Sequence, residues 1–173
     1  VEGIYSKKLV INDSEINAIG AHSAISANKF ETSGSTITCN SVHTSGSGAI
    51  SCGELIIHDG TINATGGTGI SARYCYIEGG DITATGKHEH GFDSSYGSLN
   101  ISGGNITFKG PDNEMSNSCG IYLSGGELNI TGGTVELIGR TVGMELWYTD
   151  DNFINGGSLK ISAPYGIYND KLN

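Results

Sequence analysis

The sequence predicts an all-β chain wound as a single-stranded parallel β-helix of about seven coils with three faces. Two observations carry this. A phrase of alternating apolar and polar residues broken by glycine recurs along the chain, as in "LIIHDGTINATG" from Leu55, "YIEGGDITATG" from Tyr76, "LNISGGNITFKG" from Leu99 and "FINGGSLKIS" from Phe153. No apolar stripe of 3.6-residue period survives between the glycines, so helices are not expected. A recurring unit of this length points to a stacked array rather than to isolated hairpins.

The first strand of each unit starts at Ile4, Ile25, Ile50, Ile70, Phe92, Ile121, Met144 and Ile167, at intervals of 21, 25, 20, 22, 29, 23 and 23 residues. Length varies just before each start, with "GPDNEMSNSCG" (Gly110–Gly120) the longest insertion, and this marks one looped side. Residues two apart on a strand share a face. The first strand therefore contributes the ladder just given and a partner ladder of Ser6, Ala27, Cys52, Ala72, Ser94, Leu123 and Leu146. The second contributes Leu9, Phe30, Leu55, Cys75, Leu99 and Leu128, with Ile11, Thr32, Ile57, Ile77, Ile101, Ile130 and Ile154 beside them. The third contributes Ile16, Ile37, Ile62, Ile82, Ile106, Val135 and Leu159, with Ala18, Cys39, Ala64, Ala84, Phe108, Leu137 and Ile161. Gly-Gly is the corner between the second and third strands, where side-chained residues resist the backbone angles. Small inward residues give way to large ones toward the C-terminus, so the coil is expected to change shape from about residue 92.

Composition narrows the function. The 173 residues suffice for one domain, read as residues 1–173 and as a candidate fragment of a larger secreted or surface protein. Nine basic against 18 acidic residues give a net charge of −9, which argues against nucleic acid and anionic membrane as partners. No apolar run approaches the ~20 residues that span a bilayer, so membrane insertion is not expected. Cys39, Cys52 and Cys75 fall on inward ladders and read as small buried residues, without the spacing of a zinc site. Cys119, in the insertion, is the one candidate for accessibility. His88 and His90 in "GKHEHGFD" read as a surface loop. Asn-x-Ser/Thr triplets and threonine stacks follow from the repeat itself.

Chemistry on a solenoid belongs to its outward columns and its looped side. The outward column of the first strand reads Tyr5, Ser26, Ser51, Ser71, Asp93, Tyr122, Glu145 and Tyr168, bland in its first half only. Near its second half fall Tyr96, Trp147, Tyr148, Asp150, Asp151 and Tyr165, with Arg140 in the preceding loop. Flat aromatic faces beside polar groups suit sugar rings, which makes Trp147, Tyr148, Tyr96, Tyr122, Arg140 and Glu145 the candidate substrate-binding residues. Carboxylates in loops are hard-cation ligands. Asp112 and Glu114, with Asn113, or else Asp150 and Asp151, with Asn152, are candidate calcium ligands.

The phrases "IEGGDITATG" and "ITGGTVELIG" resemble the β-helical carbohydrate-binding domain family of secreted bacterial proteins, which look like shortened relatives of the pectate-lyase superfamily. That resemblance implies a right-handed coil, an extracellular or cell-surface location, calcium sites and binding of plant cell-wall polysaccharides. It transfers no individual binding residue, because the shared residues are corners and core. The reading is a non-catalytic polysaccharide-binding module. The alternatives are a pectate-lyase-like enzyme, drawing its base from Lys87, Lys109 or Arg140 and calcium ligands from Asp93 and Glu145, or a structural and adhesive segment without a small ligand.

Overall fold

The computed structural model describes residues 3–42, 46–112 and 118–170, with Asp150 described through its backbone alone. Fifteen strands follow one another without a helix among the described residues: β1 (Ile4–Asn12), β2 (Glu15–Gly20), β3 (Ile25–Ser33), β4 (Ser35–Ser41) and β5 (Gly48–Ile57). Then come β6 (Gly60–Gly66), β7 (Thr68–Ile77), β8 (Asp81–Gly86), β9 (Phe92–Ile101) and β10 (Asn105–Lys109). The last five are β11 (Cys119–Ile130), β12 (Thr134–Ile138), β13 (Val142–Ile154), β14 (Ser158–Ser162) and β15 (Tyr165–Asn169). The odd-numbered strands stack in order as an eight-stranded sheet and the even-numbered ones as a seven-stranded sheet. The described pairings are parallel, and the chain is a right-handed parallel β-helix of about seven turns.

The inward ladders hold in register. Ile4 pairs with Ile25, Ile25 with Ile50 and Ile50 with Ile70. The third-face ladder from Ile16 to Leu159 runs unbroken through seven strands. Interior members of these ladders are essentially sealed from water. Burial of such side chains, at ~25 cal/mol per Å² of apolar surface, drives the coil closed. One refinement concerns the strands themselves. The first and second strands of a coil run as one long bent strand, so the first two faces are a single sheet wrapped around a corner.

That corner changes where the small-to-large shift in the core predicts a change. Between β7 and β9 the register passes from Ser71↔Asp93 to Tyr74↔Ser98, which gives β9 two more residues than β7 in the corner. Thereafter the corner holds Tyr96, Gly125 and Tyr148 at equivalent positions, with φ of 59°, 79° and 52°. Glycine adopts that left-handed backbone freely, whereas a tyrosine pays on the order of 1 kcal/mol. Inside, Phe108 and Phe92 lie 5.3 Å apart and fill the enlarged section.

Candidate functional site

The outward columns of the first face converge on one strip. Asp93, Tyr122, Glu145 and Tyr168 occupy successive rungs of one column, and Ser95, Ser124 and Trp147 those of the next. Rungs lie about 4.8 Å apart, so a ladder places these groups at the spacing of stacked strands. Trp147 is half-buried between aromatic neighbours, its ring centroid 5.1 Å from Tyr168 and 6.4 Å from Tyr148. Its Nε1–H donates to Glu145 Oε2 at 3.3 Å. The indole is thereby fixed on the outer surface and does not plug the coil. A depression of about 340 Å³ lies against the C-terminal part of this strip, lined by Thr141, Val142, Glu145, Tyr165, Ile167 and Tyr168. A separate hollow of about 520 Å³ sits at the other end, beside Tyr5 and His22, away from the aromatic strip.

The N-terminal part of the strip is built on the looped side. His90 stacks on Tyr122 with centroids 4.7 Å apart and planes 14° from parallel. Its Nδ1 accepts from the Cys119 backbone N–H at 3.4 Å and lies 3.0 Å from Cys119 Sγ, which assigns the ring proton to Nε2. Burial pulls the His90 pKa down to about 4, against the opposing pull of Glu89. Asp93 moves the other way, to about 6, through burial and then the charge of Glu89. Its Oδ1 is buried without a hydrogen-bond partner, which a neutral carboxyl tolerates better than a carboxylate. Burial also raises the Tyr122 pKa against a hydrogen bond from Ser124, with Asp93 and Glu145 adding to the rise. Glu89 accepts from Thr68 Oγ1 at 2.8 Å and from the Gly46 N–H at 3.1 Å, which ties the neighbouring loop down.

One expectation is corrected here. Cys119 is not accessible: it opens β11 fully buried, its thiol covered by His90. His88 and His90 do lie in the loop between β8 and β9, and there the His90 ring is partly covered, one face stacked on Tyr122 and its Nδ1 edge against Cys119. Both contacts join residues about one coil apart, beyond what local spacing reveals.

The remaining candidates divide. Tyr122, Glu145, Trp147 and Tyr148 come together. Tyr96 lies at the corner two rungs from Tyr148, 75 % exposed. Arg140 is exposed in the turn ahead of β13, at the opposite edge of the first face from Trp147. Asp112 is held by Lys109 Nζ at 2.9 Å, while Asp151 is exposed in the irregular stretch of β13 that faces the step from Gly126 to Leu128. Glu114 and Asn113 lie outside the described residues. Among the described residues no three His, Cys, Asp or Glu side chains gather in a metal-binding group.

Two residues that the sequence reading passed over also belong to the surface. Arg73 lies over the Tyr74 ring at 5.3 Å and donates from Nε to the Tyr96 carbonyl at 3.2 Å. Tyr74 follows Lys8, Lys29 and Glu54 in an outward column of the second face. Scanning that column as well as the first would have found it.

Fold and strip together define a β-solenoid whose first face carries an aromatic and acidic strip along its second half. Compared with known proteins, the chain matches no protein family, no curated protein and no solved structure.

Proposed function

We propose that this chain is a non-catalytic polysaccharide-binding module that receives sugar rings on the Tyr122–Trp147–Tyr168 strip. The observation that carries the reading is the seat of Trp147, on an outward column, braced by Tyr168 and by its bond to Glu145. A fixed flat surface packs against the C–H face of a pyranose ring at little cost in ordering, and the neighbouring carboxylates accept from its hydroxyls. The strip itself presents carboxylates, phenols and serines but no lysine or arginine, so the Lys or Arg base that the lyase alternative requires is not among its residues. In this reading the module acts outside the cell on plant cell-wall glycans. Calcium assists through one of the two acidic segments, Asp112–Glu114 or Asp150–Asp151, and chelation is then expected to lower both affinity and melting temperature.

The experiment is a polysaccharide pull-down and calorimetric titration with wild type and Trp147→Ala. The variant is expected to bind about tenfold more weakly or worse, a loss of ~1.4 kcal/mol or more, with its melting temperature kept within a few degrees. Tyr5→Ala, 85 % exposed at the far end, is expected to bind as wild type. Unchanged affinity in folded Trp147→Ala protein would return the indole to a purely structural role.

A further inference from the structure

The corner between the first two faces forms a second surface feature, apart from the Trp147 strip. β7 passes from Ala72 to Tyr74 through Arg73 alone, whereas β9 passes from Ser94 to Ser98 through Ser95, Tyr96 and Gly97. At the step between the short and the long corner lies a cleft of about 290 Å³, lined by Tyr74, Tyr96, Gly97, Ser98, Gly126 and Glu127. Its volume is close to the lower end of small-molecule sites, ~300 Å³.

The walls of the cleft are fixed in advance. Tyr96 holds a left-handed backbone, φ 59°, and yet leaves its ring 75 % exposed, so the conformation is not repaid by burying the side chain. Arg73 braces both sides at once, stacking on Tyr74 and donating to the Tyr96 carbonyl. The base is bare backbone by necessity: a Cβ on Gly97 would stand 1.5 Å from the Arg73 carbonyl oxygen, and one on Gly126 1.5 Å from that of Gly97.

We propose that this cleft is a second ring-binding subsite for a neutral polysaccharide, so that one glycan chain crosses the corner from Trp147 and Tyr148 to Tyr96 and Tyr74. The proposal rests on the reading of the Trp147 strip as a sugar-binding surface. Two tyrosine faces supply the stacking surface, and Ser98 and Glu127 meet hydroxyls at the rim. The Glu127 carboxylate at the rim balances the Arg73 guanidinium stacked on Tyr74, so the cleft has no excess positive charge to select a uronate or sulfated ring over a neutral one. Gly125, set between Tyr96 and Tyr148 at the corner, projects no side chain across the path.

The test uses cello-oligosaccharides of two to six units, with oligogalacturonides of the same lengths as the charged arm. Titrations compare wild type, Trp147→Ala, Tyr74→Ala and Tyr96→Asn, the last because asparagine tolerates the left-handed backbone and removes only the ring. Wild type is expected to gain affinity from the shorter to the longer neutral oligomers. Tyr74→Ala and Tyr96→Asn are each expected to lose that gain, at least fivefold on the hexamer, with melting unchanged. Unchanged hexamer binding in both variants, alongside a loss in Trp147→Ala, overturns the cleft and leaves the strip standing. Stronger binding of oligogalacturonides than of neutral oligomers overturns the neutral class. Wild type that binds no oligomer overturns the cleft and the strip together.

Discussion

Asp93 and His90 hold opposite departures from ordinary acidity, three residues apart. Asp93 keeps its proton to about pH 6 in the folded chain against 3.8 for a free side chain. It therefore adds stability that is complete below pH 3.8 and is lost as pH rises to about 6. His90, at about 4 against 6.5, does the reverse: folding disfavours its charged form, so stability rises with pH from about 4 to 6.5. The two contributions oppose each other across nearly the same window. Asp93→Asn is expected to steepen the rise in stability between pH 4 and 6.5 relative to wild type, and His90→Gln to tilt the profile downward over pH 4 to 6. Urea midpoints at pH 4, 5, 6 and 7 measure both, and profiles parallel to wild type would show that neither group is held as described.

At the scale of a strand, the core depends on how one rung fills the space left by the next. Phe108 is fully buried, with Ala84 on the preceding rung and Leu137 on the following one. Phe108→Ala is expected to cost about 3–5 kcal/mol, read from denaturant midpoints at constant m, because neighbouring coils cannot collapse into the gap without breaking register. A loss below ~1 kcal/mol would mean that the enlarged section is loosely packed. The ladders themselves were legible in the sequence, since period-2 alternation and a glycine corner fix which residues face inward. The lengthened corner was not: "SSYGS" reads as continued strand, and only pairing with β7 reveals the two added residues. The Trp147 strip was legible for the same reason as the core, because stacking carries outward columns into line just as it does inward ones. The His90–Cys119 contact was hidden by the 29-residue separation of its partners.

Across the whole molecule, the four cysteines are buried free thiols, Cys39, Cys52 and Cys75 inside the coil and Cys119 beneath His90. Burial pushes Cys39 and Cys52 up to about 12 and raises Cys75 and Cys119 as well. Native protein is expected to leave all four unreactive toward an aromatic disulfide reagent at neutral pH, with four equivalents appearing on denaturation. Reaction of Cys119 in the native state would place its loop in an open state that His90 does not cover. The stacking order of the two sheets carries a mechanical consequence. β1 lies at one extreme of the eight-stranded sheet and β15 at the other, and the hydrogen bonds between coils point along the rod. Tension between the two ends therefore loads those bonds lengthwise and in series, and the weakest coil boundary gives first. Each repeat of 20–29 residues that peels away would release about 70–100 Å of chain at ~3.4 Å per residue. Such a rod would lengthen under load in discrete steps, one coil at a time, while the coils still wound kept their surface intact.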